Sequence, residues 1–307
     1  GTRNPRMSSL PQLTHARCPL TRQIEVINEQ GQRDLVTIPA ERALTVYVDK
    51  REIVTLMTLG AQPELLVLGY LRNQCLVDDV QDVESITVDW DAGDDGAGVA
   101  AVKTRGGITN MAERTEKRVV TTGCGQGSMF GHLMLDIDRL QLPHSVVHQA
   151  QLLHLLDTIR LQESTYKSAG TVHGCALFTG STLRIFVEDV GRHNAIDIIA
   201  GWMWMNNVKA AEDAIFYTTG RLTSEMVIKS RATASRKWDT TWRNACACAP
   251  LAAHATNTLW STPPTHACKP TPRWPRPSRR DAPACLSRDA SIGFQMQTAL
   301  ALERGCN

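Results

Sequence analysis

Nothing in these 307 residues approaches the ~20 consecutive apolar residues that a membrane-spanning helix needs. The opening, GTRNPRMSSL, lacks the apolar core of a secretory signal. It also lacks an initiator methionine, which leaves open both a start further upstream and a fragment. No charge of one sign dominates. The formal net charge is +2, so bulk charge gives no reason to expect a nucleic-acid partner. The nine cysteines are odd in number and have no disulfide-framework spacing. Cys246 and Cys248 form only a C-x-C, with no second pair at zinc-site spacing. These absences lead us to expect a cytoplasmic chain in a reducing compartment, with free thiols, no membrane and no metal of its own.

What is present centres on Leu183–Asp197, LRIFVEDVGRHNAID. Leu183, Ile185, Phe186 and Val187 predict a short strand. Glu188 and Asp189 follow where it ends, Gly191 permits a sharp turn, and Asn194 is the expected N-cap of a helix through Ile196, Ile199 and Trp202. Arg192 and His193 sit in the same turn. The carboxyl end of a strand and the start of a helix are where open α/β sheets bind ligands, and exposed helix N–H groups there favour anions. The same residues also suit a structural reading, in which Glu188 or Asp189 pairs with Arg192 while His193 caps or packs.

Ala214–Lys229, AIFYTTGRLTSEMVIK, repeats the plan. A strand over Ala214–Tyr217 leads to Gly220, Arg221, Thr223 and Ser224, then to a helix through Met226, Val227 and Ile228. If the two strands are neighbours, both turns face one cleft. Arg192 and Arg221 together would suit a phosphate-bearing ligand, because each guanidinium presents a planar fork of donors.

EDVGRHNAID and TGRLTSEMVIK resemble the two signature stretches of the FdhD family, the formate dehydrogenase accessory sulfurtransferases. ERALTVYVDKREIVTLMTLGAQPELLVLGYL is similar to that family's opening segment, and the likeness covers roughly residues 24–232. The resemblance implies a sulfur carrier. A cysteine desulfurase would donate sulfur to a protein cysteine, and the persulfide would pass to the molybdenum bis(molybdopterin guanine dinucleotide) cofactor before its insertion into formate dehydrogenase. The implied persulfide cysteine is Cys124, in TTGCGQG, where flanking glycines give a partner access. Where the family carries the second cysteine of a Cys-x-x-Cys, this chain has Gly127, a departure. The implied cofactor-binding set is Glu188, Asp189, Gly191, Arg192, His193, Asn194, Gly220, Arg221 and Ser224. His173 matches a family histidine, although the Thr-Gly-Gly before it appears here as Ala-Gly-Thr. A homodimer is left open.

The rest of the chain gives the architecture. Residues 1–20 read as a mobile arm, and 21–115 as a small β-rich unit with one helix opened by Pro63. Residues 116–235 read as an α/β domain, with a helix over Val146–Gln162 capped by Ser145 and strands near Val119, Val172, Ile185 and Ile215. The overall expectation is α/β, or α+β for the whole chain, and the resemblance makes the second domain similar to the cytidine deaminase fold. Cys175 reads as a buried packing residue, and Cys18 and Cys75 as bystanders.

Residues 236–307 do not continue this pattern. They hold eight of the 14 prolines and carry ten Lys+Arg against four Asp+Glu. KPTPRWPRPSRRDAP has neither strand nor helix period. We read an aberrant, unstructured ending foreign to the family, such as an out-of-frame translation gives. A basic disordered extension or a nucleic-acid-binding tail are the alternatives.

Two other functions compete with the carrier. One is a non-catalytic nucleotide-binding chaperone for an oxidoreductase, which labelling of Cys124 with sulfur would separate. The other is a zinc-dependent nucleobase hydrolase, whose H-x-E and P-C-x-x-C elements are not present in order.

Overall fold

A computed structural model describes residues 10–93, 97–108, 118–120, 128–130, 149–208, 214–220, 226 and 229. In chain order the described elements are β1 (Gln12–Leu13), β2 (Thr21–Ile27), β3 (Arg33–Pro39), β4 (Arg42–Val48), β5 (Arg51–Thr58) and α1 (Pro63–Asn73). They continue through β6 (Val83–Asp89), β7 (Gly98–Thr104), β8 (Arg118–Val120), β9 (Ser128–Phe130), α2 (Gln149–Leu161) and α3 (Thr165–Ala169). β10 (His173–Thr179), β11 (Thr182–Asp189), α4 (Arg192–Met205) and β12 (Ala214–Thr218) complete the series. The fold is mixed α and β, as expected.

The first sheet has the order β1-β6-β7-β4-β5. Its alternating strands turn Leu44, Val46, Val48, Ile86, Val88, Ala100 and Val102 inward. The β4–β5 hairpin closes on Asp49 and Lys50, both with positive φ, as a two-residue hairpin turn requires. Residues 10–20 are not a free arm: β1 pairs in parallel with β6, and Glu64 accepts hydrogen bonds from the Thr14 hydroxyl and the Ala16 amide. Two paired residues are too few to leave a readable period, so this corrects the expectation over 10–20.

The second sheet has the order β11-β10-β12. Its period of two sorts side chains cleanly between two faces. Cys175, Leu177, Val187, Ala214 and Phe216 join the main core on one face. Ala176, Phe178 and Ile215 meet Leu155 of α2 on the other. β11 and β12 are both antiparallel to β10 and hence parallel to each other. They are not neighbours, since β10 lies between them, which corrects one premise of the sequence reading. Their carboxyl ends nevertheless lie at the same end of the sheet, beside the start of β10.

Between the sheets run α1, against β6 and β7, and α4, against β10 and β11. The two helices cross on glycine. A Cβ on Gly69 would lie 1.6 Å from the Asp197 carbonyl oxygen, and one on Gly201 would lie 2.1 Å from that of Leu65. The backbones therefore touch. Around the crossing, Asn73 Nδ2 donates to Asp197 Oδ1 at 2.7 Å and Arg72 donates to the Ala200 carbonyl at 2.9 Å. A single apolar core thus spans the first sheet, both helices and one face of the second sheet.

Candidate functional site

The first Gly-Arg turn has the expected place, with β11 ending at Asp189 and α4 starting at Arg192. Its internal wiring differs from expectation in two ways. Asn194 is not the N-cap. Gly191 occupies that position without a side-chain cap, and Asn194 Nδ2 instead donates to the Met57 carbonyl at 2.7 Å and to Asp189 Oδ1 at 2.8 Å. A tertiary acceptor has outcompeted the local one. Asp189 likewise spends its hydrogen bonds within the protein. It is fully buried, and its carboxylate accepts from the Thr58 hydroxyl at 2.5 Å, the Leu59 amide at 3.0 Å, the Gly191 amide at 3.0 Å and Asn194. Burial pushes this carboxyl above the ordinary range, and the four hydrogen bonds pull it back.

Glu188 points elsewhere. It accepts from the Ser164 hydroxyl at 2.7 Å and the Thr165 amide at 2.6 Å, closing the start of α3. It also lines a cleft of about 410 Å³ with Leu59, Gln62, Ser168 and Phe186. The two neighbouring carboxylates, side by side in sequence, therefore serve opposite faces of β11.

Arg192 and His193 stay together. Arg192 is 5% exposed and His193 3%. The Arg192 stem lies across Gly220, where a Cβ would approach Arg192 Cδ to 2.8 Å and Cβ to 2.9 Å. Gly220, at the end of β12, thereby meets the first Gly-Arg turn although β10 separates β11 from β12. Arg192 Nε is buried and has no hydrogen-bond partner among the described residues, an arrangement suited to a polar ligand.

His193 sits among positive charge. Burial first, then Lys229, Arg192 and His173, pushes its pKa down to about 3, so the imidazole is neutral near pH 7. Lys229, almost completely buried, forms an ion pair with Asp197 at 2.7 Å. Burial pushes the Asp197 carboxyl up, against the pull of that ammonium and of Asn73. The site region thus gathers His173, Arg192, His193 and Lys229, three of them buried. With His193 neutral and Lys229 paired to Asp197, the buried positive charge that can hold an anion is that of Arg192. Among the described residues no three His, Cys, Asp or Glu cluster as metal ligands would.

Cys175 is buried and donates weakly to the Thr218 hydroxyl, with its thiol pushed up to about 12 by burial. It is therefore unreactive. Cys124, Arg221 and Ser224 lie outside the described residues, as do the Ser145 cap and the whole ending 236–307. Sequence reasoning missed Thr58 and Asp197, and quoted Lys229 without a role. A lone threonine closing a strand gives no signal. Lys229, three residues after buried Met226, carries a weak one, a cation on an apolar helix face.

The sequence model of the FdhD/NarQ family matches residues 39–235. The chain belongs to the FdhD/NarQ family. Within that family it is 28% identical over 216 residues to the sulfur carrier protein FdhD of Halalkalibacterium halodurans, covering 68% of this chain and 77% of that one. It is 26% identical over 197 residues to that of Listeria monocytogenes, covering 63% and 73%. The fold also matches a crystal structure named as a formate dehydrogenase accessory protein from Desulfotalea psychrophila. The TM-score is 0.51 at 22% identity, over 70% of this chain and 80% of that one. Both Gly-Arg turns fall inside the stretch that the FdhD/NarQ model matches, and so does Cys124.

Proposed function

We propose that this chain is a sulfur carrier serving formate dehydrogenase. Cys124 takes sulfur from a cysteine desulfurase and passes it to the molybdenum bis-guanylyl cofactor, which binds as cargo at the two Gly-Arg turns. Membership of a family whose relatives are named sulfur carriers supports the first half. The single observation that carries the second half is the buried guanidinium of Arg192, with its orphaned Nε. An anionic, phosphate-bearing molecule satisfies both the charge and the missing hydrogen bond.

The chemistry asks little of the protein. The Cys124 thiolate attacks the outer sulfur of the desulfurase persulfide. A new S–S bond forms, the old one breaks, and the desulfurase leaves as a thiolate. One thiol suffices for that step, so the glycine at 127 does not prevent it. Neutral His193 leaves the positive charge beside the cargo to the arginines, and Arg192 and Arg221 hold phosphate oxygens.

Intact-mass analysis after incubation with a desulfurase and cysteine tests the carrier. One added sulfur of ~32 Da should map to Cys124, and Cys124→Ser should lose it while remaining folded. Sulfur mapped to another residue, or a Cys124→Ser chain that still matures formate dehydrogenase, overturns the reading. The cargo site is tested separately. Arg192→Ala and Arg221→Ala should each weaken guanine-nucleotide binding about tenfold, equivalent to ~1.4 kcal/mol of charge-assisted hydrogen bonding. Unchanged affinity in both removes the phosphate assignment and leaves the carrier standing.

A further inference from the structure

β5 is an edge strand of the first sheet, so the backbone groups at its end need partners that no neighbouring strand supplies. They find them in the ligand turn of the second sheet. The Met57 carbonyl accepts from Asn194 Nδ2 at 2.7 Å, and the Leu59 amide donates to Asp189 Oδ2 at 3.0 Å. Between them the Thr58 side chain, 1% exposed, does two things at once. Its hydroxyl donates to Asp189 Oδ2 at 2.5 Å and accepts from the Gly60 amide at 3.1 Å. The other Asp189 oxygen accepts from the Gly191 amide at 3.0 Å and from Asn194 at 2.8 Å. Those two donors bracket Arg192, one on each side. Arg192 Nε itself has no partner among the described residues. The backbone on either side and the contact with Gly220 are what fix its place.

We propose that Thr58 is a positioning residue for the Arg192 turn, acting through Asp189, so that the end of the first sheet sets the geometry in which Arg192 meets its ligand. The inference rests on the reading of Arg192 as a phosphate-binding group. The logic is one of donor count. A buried carboxylate that loses one of four donors must find another. The nearest replacements are the donors it already shares with the turn, so the turn shifts. A hydroxyl gives a hydrogen to Asp189 and takes one from Gly60 through a single atom. Valine, of nearly the same volume, can do neither, whereas serine can do both.

The test uses the full chain, with GMP as probe and two readouts. One is the dissociation constant by calorimetry, and the other is hydrogen exchange at the Gly191 amide. Thr58→Val should weaken GMP binding about tenfold and speed Gly191 exchange, and Thr58→Ser should restore both. Val46→Ala, a core change in the same sheet, should lower the melting temperature while leaving both readouts near wild type. That contrast separates positioning from general loss of stability. If Thr58→Val does not fold, Thr58→Ala is read in its place. Affinity within twofold of wild type, with unchanged Gly191 exchange, overturns the proposal. If the wild-type chain itself binds no GMP, the phosphate reading falls. The exchange arm then decides alone: faster exchange reversed by serine sustains the role of Thr58 in holding the turn, and unchanged exchange ends it.

Discussion

His193 concentrates the electrostatics of the site in one side chain. Its pKa is held at about 3 because burial and three neighbouring basic groups all oppose a further positive charge. In the unfolded chain an imidazole titrates near its ordinary 6.5. The folded pKa is therefore the lower one, and the unfolded chain binds the extra proton first as pH falls. Stability contributed by neutral His193 is complete above pH 6.5 and is lost progressively from there down towards 3. Urea unfolding of the wild type should show an added slope approaching about 1.4 kcal/mol per pH unit in that window. His193→Gln should lack it. Parallel curves for the two proteins would mean that the imidazole is charged in the folded state.

At the scale of elements, the α1–α4 crossing tolerates least change. Gly69→Ala or Gly201→Ala would drive a methyl group into a backbone carbonyl on the opposite helix, and neither helix can retreat without opening the core on both its sides. Each should cost about 3 kcal/mol or more, read as a fall in the urea midpoint or as insoluble chain. An alanine as stable as wild type would show that the helices can separate. The sequence foretold both helices but not this contact. A glycine inside a helical pattern announces only that something lies close. The same limit explains the Gly-Arg turns. Leu183–Val187 and Ala214–Tyr217 were readable as strands because short apolar runs bounded by glycine are local signals. That β10 would lie between them was not readable, since strand order is decided by pairing over long separations. Asn194 was misread as a cap for a related reason, because its preferred acceptor, Met57, is 137 residues away. Of the two acidic residues, nothing local says that Asp189 faces inward while Glu188 faces α3.

Across the whole molecule, the sequence conveyed the mixed fold and the places of its strands along the chain, and it put the first Gly-Arg turn between a strand and a helix, where the structure has it. It conveyed Cys175 as inert for the right reason, burial in a strand. It did not convey that the two sheets share one core, because nothing within α1 or α4 says that the other helix is what meets and covers it. That meeting has a kinetic consequence. Residues 69 and 201 touch across the crossing, and Thr58 binds Asp189 from 131 positions away. Closing such separations is entropically expensive early in folding and slows the search. The local hairpins, β2–β3 and β4–β5, have no such wait. Stopped-flow refolding should accordingly show hairpin hydrogen bonds protected before the amides of the Arg192 turn, and the reverse order would contradict this. During synthesis, α1 must wait with its apolar face uncovered until α4 has left the ribosome. A nascent chain halted before residue 201 should therefore be a client for holding chaperones, and the Arg192 turn is among the last parts of the fold to form.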